Sequence, residues 1–194
     1  MSIHALLYPR RVAVVGSVSP GKLGAVLTER ILDKGFKNIC CVNPKAMGWG
    51  RAKGYASIAD CPGPVDMVVI ASPAATVAAT LREAGQGGVK AAAIISSGFS
   101  EAGRAELEAE ILAVAKEYGI RYIGPNCAGL VNTAWGLEAT LEASPAKGRV
   151  SLISQSGAIG GAFMEASRSR GLGVGKFLSF GNGSDLNQNE LLKY

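Results

Sequence analysis

The chain has 194 residues, 48% of them hydrophobic, 6% aromatic and 18% charged, with a formal net charge of +5. That length suits one full α/β domain plus part of a second, and the apolar share calls for a packed core. Acidic and basic residues are interspersed, with no basic run or aromatic stacking platform, which argues against nucleic acid and suits a small anionic ligand.

In chain order, an apolar strand over 12–15 runs into a turn holding Gly16, Ser17, Ser19, Pro20, Gly21, Lys22, Leu23 and Gly24. A helix over 24–34 follows and ends at Gly35. A second strand, 38–42, leads into Asn43-Pro44-Lys45, and 47–55 reads as a loop with a short turn near 57–60. A strand over 65–70 ends in Ser72-Pro73 and is followed by a helix over 74–86. A fourth strand, 91–95, ends in Ser96-Ser97-Gly98-Phe99, and an amphipathic helix covers 102–118 with Leu107, Ile111 and Val114 on one face. A fifth strand, 121–123, closes on Gly124-Pro125-Asn126-Cys127. The alternation predicts a Rossmann-like α/β domain over 1–132.

Residues 133–148 read as a linker. A second α/β domain starts over 149–194, with a strand at 150–153, the turn Ser154-Gln155-Ser156-Gly157, a helix over 158–170 and a strand at 175–179. The loop 180–185 leads into a last helix, which Ser184 or Asp185 is placed to cap. Two βα units do not close a doubly wound sheet, so this second domain is expected to be incomplete and to leave apolar surface for a partner or an oligomer.

The glycine-rich turn places close backbone and helix N–H groups where a phosphate binds. Its spacing, five residues from Gly16 to Gly21 and three from Gly21 to Gly24, departs from the G-x-G-x-x-G fingerprint of dinucleotide folds. The second strand ends in Asn43 and Lys45 rather than the carboxylate that holds an NAD ribose. Lys45 is suited to a ribose phosphate, which NADP and coenzyme A both carry. Cys40, Cys41, Cys61 and Cys127 lack C-x-x-C spacing, so no metal site is expected and they read as reduced thiols of a cytoplasmic protein. The N-terminus has no signal-peptide pattern, and no apolar run of about 18 residues predicts a membrane span. Cys127 reads as a small packed thiol, and His4, the single histidine, as a surface residue near the terminus. The turn before Ser156 lacks the first glycine of a nucleophile elbow, which argues against a serine hydrolase.

Seven segments in order resemble the NDP-forming acyl-CoA synthetases and, more distantly, the α subunit of succinyl-CoA synthetase. They are Val14-Val-Gly-Ser17, Pro20-Gly-Lys-Leu-Gly24, Val42-Asn-Pro-Lys45, Val65-Asp-Met-Val-Val-Ile-Ala-Ser-Pro73, Ile95-Ser-Ser-Gly-Phe-Ser-Glu101, Ile123-Gly-Pro-Asn-Cys-Ala-Gly129 and Val150-Ser-Leu-Ile-Ser-Gln-Ser-Gly157. The resemblance implies a CoA-binding domain followed by the start of a flavodoxin-like domain. It places Gly16, Ser17, Ser19, Pro20, Gly21, Lys22 and Leu23 around the CoA diphosphate, and Asn43 and Lys45 at the adenosine end. Ser72 and Pro73 would line the pocket, Ser97, Gly98 and Phe99 the pantetheine arm, and Asn126 the reaction centre. Ser154, Gln155, Ser156 and Gly157 would bind phosphate. It further implies that an acid, CoA and ATP are converted to acyl-CoA, ADP and phosphate through a phosphohistidine that this sequence does not contain. ATP or ADP and Mg²⁺ would come with a separate ATP-grasp domain or β subunit. The alternatives are a non-catalytic CoA-binding module and an NADP-dependent oxidoreductase.

Overall fold

A computed structural model describes residues 2–194. A short helix α1 (Ser2–Leu7) precedes strand β1 (Val12–Gly16), helix α2 (Leu23–Asp33) and strand β2 (Ile39–Val42). Then come β3 (Lys53–Tyr55), β4 (Met67–Ala71), α3 (Ala74–Gln86), β5 (Ala91–Ile94), a 3-10 turn Ser100–Ala102, α4 (Ala105–Tyr118) and β6 (Arg121–Ile123). These six strands form one sheet in the order β3-β2-β1-β4-β5-β6, with every pairing parallel. This is the doubly wound order of nucleotide-binding folds, whose ligand crevice lies beyond the carboxyl ends of the strands where the order reverses, between β1 and β4.

The strands read as unbroken apolar runs because both faces of the sheet are covered. Ala13, Val15, Val68, Ile70, Ala92 and Ile94 face α3 and α4, meeting Val77, Leu81, Ile111 and Val114. Val12, Val14, Met67, Val69, Ala91 and Ala93 face the other way, onto Leu27 and Ile31 of α2 and Leu6 and Leu7 of α1. Helix α4 carries Glu106 and Glu108 in its first turn and Lys116 in its last, matching the helix dipole, and stops at Gly119 in a left-handed conformation.

A second, four-stranded sheet has the order β8-β7-β10-β9, built from β7 (Gly129–Asn132), β8 (Leu137–Thr140), β9 (Lys147–Ser154) and β10 (Val174–Ser179). Helix α5 (Gly157–Ser169) connects β9 to its parallel partner β10, and α6 (Gln188–Lys193) follows. The pair β9–β10 is extended by the antiparallel hairpin β7–β8, which was not foreseen. The segment 133–148 is therefore not a plain linker: it carries β8, whose Leu137 and Ala139 are wholly buried against the first sheet's helical layer. Leu130, Leu178, Leu186 and Leu191 join the same core. One face of the first sheet is thus completed by residues of the second unit.

Other differences are local. The expected loop 47–55 contains β3, paired with β2 through Cys40–Lys53, Cys41–Gly54 and Val42–Tyr55. Its three residues are only half buried or exposed, so no apolar run announced it. Neither Ser184 nor Asp185 caps the last helix; Asn187 does, its side chain accepting from the N–H groups of Asn189 and Glu190. Ser184 Oγ instead lies 2.8 Å from Tyr122 Oη, and Asp185 accepts from Arg121 Nε at 2.9 Å and from the Tyr122 N–H at 2.8 Å. These bonds fasten the loop after β10 to β6. Among the described residues, no helix is long and apolar enough to cross a membrane.

Candidate functional site

The loop after β1 is shaped by two close approaches. At Gly16, φ is +144°, and a Cβ would run into the Ala71 carbonyl of β4. At Gly24, a Cβ would run into the Ser17 carbonyl, so the first turn of α2 lies directly against the loop. Only glycine permits this packing, which brings helix, loop and two strand ends to one point. Lys22 stands at the N-cap of α2 in an extended conformation and makes no side-chain capping bond. The start of this 11-residue helix thus lacks a side-chain cap, with the Ala25 and Val26 N–H groups donating to the Lys22 carbonyl and those before them left for an anion.

Beside this loop lies a cavity of about 460 Å³, within the size range of cofactor sites. It is lined by Gly16, Ser17, Val18 and Ser19 after β1, by Asn43, Pro44, Lys45 and Met47 after β2, and by Ser72 and Pro73 after β4. Its far wall is one edge of α3, made by Thr76, Thr80 and Glu83. Seven residues expected at the site from the sequence are brought together here: Gly16, Ser17, Ser19, Asn43, Lys45, Ser72 and Pro73. Pro20, Gly21, Lys22 and Leu23 continue the same loop outside the cavity and are exposed.

Asn43 is buried and committed to its own loop, donating from Nδ2 to the Met47 carbonyl at 2.8 Å and accepting the Met47 N–H at 3.1 Å on Oδ1. It shapes the rim, and Lys45, exposed and without an ion pair among the described residues, is the cation available there. Ser96, which the sequence did not single out, is buried and joins two strand ends: its hydroxyl lies 2.6 Å from the Ser72 carbonyl and accepts the Ser72 N–H at 3.2 Å. Thr76, Thr80, Glu83 and Met47 were also missed. The three on α3 follow helical spacing on its polar edge, a signal too common to stand out before the fold is known.

Ser97, Gly98, Phe99 and Asn126 lie farther along the strand ends and do not line the cavity. The Phe99 side chain corrects an expectation: it is wholly buried in the core with α3 and α4 and cannot cover a ligand arm. The N–H groups of Gly98 and Phe99 both donate to Glu101 Oε1. Glu101 Oε2 accepts from Asn182 Nδ2 at 2.8 Å, and Asn182 also reaches Ser100 Oγ at 3.1 Å and Glu108 Oε2 at 2.9 Å. Partial burial opposes ionisation of Glu101, but the bonds from Asn182, Gly98 and Phe99 outweigh it and lower its pKa. Asn126 takes a left-handed φ of 57° and its Nδ2 lies 3.4 Å from Asn182 Oδ1. The loop after β10 thus meets the loops after β5 and β6.

Ser154, Gln155, Ser156 and Gly157 form the turn from β9 into α5, away from the cavity. Ser156 caps α5 by accepting the Ile159 N–H at 3.3 Å, and Ser154 Oγ donates to the Ser156 carbonyl at 2.9 Å. All four cysteines are free and buried. Burial pushes the Cys127 thiol up to about 12, which makes it a packing group at neutral pH. His4 stacks on Tyr8 with centroids 4.8 Å apart, and its Nδ1 lies 2.8 Å from Tyr194 Oη.

Residues 10–133 match the family model described as a CoA binding domain. The chain belongs to that family. A second family model, the succinyl-CoA ligase like flavodoxin domain, matches residues 147–194 after this CoA binding domain. The chain is 42% identical over 189 residues to an ADP-forming acetate–CoA ligase of Methanocaldococcus jannaschii, covering 96% of this chain and 27% of that protein. It is 38% identical over 203 residues to the α subunit of ADP-forming acetate–CoA ligase I of Pyrococcus furiosus, covering all of this chain and 44% of the subunit. Among solved structures, it is similar to acetyl-coenzyme A synthetase 1 of Ca. Korarchaeum cryptofilum in complex with phosphate and ADP. There the TM-score is 0.94 at 36% identity, over the whole of this chain and 42% of the other. The chain thus spans less than half the length of these relatives.

Proposed function

We propose that this chain is the coenzyme A-binding region of an ADP-forming acid–CoA ligase. One observation carries the reading: a cavity at the ends of β1, β2 and β4, beside an uncapped helix N-terminus, has Lys45 and no carboxylate at the rim after β2. The α2 N–H groups and the 16–23 loop hold the CoA diphosphate, through backbone donors and the positive end of the helix dipole. Lys45 meets the phosphate on the adenosine ribose, where a carboxylate would repel it. Ser72 and Pro73 border the path along which the pantetheine arm crosses toward Ser97, Gly98 and Asn126. The thiol then emerges near Asn126 and Asn182, where the two sheets meet.

In the whole protein, a carboxylic acid, CoA and ATP yield acyl-CoA, ADP and phosphate. The phosphoryl-carrying histidine would lie downstream of the loop at Asp185 in the second domain, while the nucleotide and Mg²⁺ come with an ATP-grasp domain or subunit; the similarity to α subunits supports such a partner. Ser156 and the start of α5 offer the N–H groups for a phosphate at that junction. Calorimetric titration with CoA and with NADPH in parallel tests the reading. Binding of CoA with little heat from NADPH is the expected result, and tight NADPH binding with none for CoA would overturn it.

A further inference from the structure

Resting on the CoA reading, we infer that Glu83 selects the base of the coenzyme by accepting a hydrogen bond from the exocyclic amine of adenine. The far wall of the cavity is the polar edge of α3, where Thr76, Thr80 and Glu83 follow one another at helical spacing. Each of the three carries a side-chain acceptor. Thr80 spends its hydroxyl proton on the Thr76 carbonyl at 3.1 Å. Thr76 Oγ1 lies 2.7 Å from the Pro73 carbonyl and 2.9 Å from Ser72 Oγ, so its proton is committed as well. Both threonines keep only lone pairs for a ligand.

Glu83 Oε1 accepts the Ile58 N–H at 2.5 Å, which fixes the carboxylate against the loop after β3. Oε2 has no hydrogen-bond partner among the described residues, and Glu83 is part of the cavity lining. The wall therefore offers acceptors and no side-chain donor. The lining also includes Val42, Met47 and Ala56, apolar surfaces that suit the faces of a flat ring. With the ribose phosphate at Lys45, a purine reaching toward α3 presents its 6-position to this wall. A 6-amino group supplies donors to Glu83, whereas a 6-oxo group places oxygen against a carboxylate.

Glu83→Gln provides a reversal test. The glutamine oxygen can keep the Ile58 bond, and its amide nitrogen then turns a donor into the cavity. The unaltered protein is expected to bind CoA about ten- to a hundredfold more tightly than the deaminated analogue carrying hypoxanthine. In Glu83→Gln the preference is expected to shrink to near unity or invert, with thermal stability unchanged. Equal affinity of the unaltered protein for both compounds would overturn the inference, and this comparison needs no variant. Equal loss of both in Glu83→Gln would also overturn it, since a merely structural role has no means to distinguish the bases. If neither compound binds the unaltered protein, the coenzyme reading itself falls, a result distinct from CoA binding without discrimination.

Discussion

At the scale of single residues, the site depends on glycines that serve packing rather than flexibility alone. Replacing Gly16 with alanine drives a methyl group into the β4 carbonyl and places a side chain at a φ that L residues rarely adopt. We expect a loss of about 2 kcal/mol or more in denaturant unfolding, with weaker CoA binding because the 17–19 loop shifts. Lys45 is an exposed cation, so Lys45→Ala should cost about two- to fivefold in CoA affinity at low salt. The same change should leave 3′-dephospho-CoA binding nearly unaltered, which isolates the ribose phosphate as its target. Cys127 has a pKa raised from 9.0 to about 12 by burial, so the fold favours its neutral form. Its contribution is intact below about 9 and declines as pH rises toward 12, because the unfolded thiol ionises first. Urea unfolding from pH 8 upward should accordingly show a shallower alkaline decline in Cys127→Ala. The glycine turn, Asn43-Pro44-Lys45 and Ser72-Pro73 were legible in the sequence because turn chemistry is local. Asn43's bond to its own loop, the burial of Phe99 and the α3 wall were not, since each depends on what packs opposite.

At the scale of elements, apolar runs announced β1, β2, β4 and β5, because parallel strands covered on both faces must be apolar throughout. Strand β3 escaped notice because it is a three-residue edge strand holding Lys53 and Gly54, with one side of its backbone free. Strand β8 escaped because its burial includes a charge: Glu138 is nearly inaccessible and lies 3.4 Å from Lys34 Nζ, while Ser144 Oγ donates to it at 2.6 Å. A carboxylate between Leu137 and Ala139 interrupts the apolar run and reads as loop, yet here it joins the end of α2 to the second sheet. Removing the cation with Lys34→Met leaves that buried carboxylate with Ser144 as its side-chain partner, for an expected loss of about 1–3 kcal/mol. The double change Lys34→Met with Glu138→Leu should recover most of that loss, as measured by denaturant midpoint.

At the scale of the whole molecule, the alternation of strand and helix was readable and the division between the two units was not. The face of the first sheet that carries α1 and α2 is finished by Leu130, Leu137, Ala139, Leu178, Leu186 and Leu191. A chain ending after residue 132 would expose that apolar layer, so it should aggregate or lose cooperative unfolding, whereas the 194-residue chain should unfold in one transition. The shared core also keeps the loops after β5, β6 and β10 in register through Asn182, which a flexible tether between domains could not do. The most direct measurement is a crystal structure of the protein soaked with CoA. The diphosphate should lie on the N–H groups at the start of α2, with the ribose phosphate beside Lys45 and the thiol directed toward Asn126. CoA seated anywhere but the strand-end crevice, or that crevice filled by another cofactor while CoA is excluded, would contradict it.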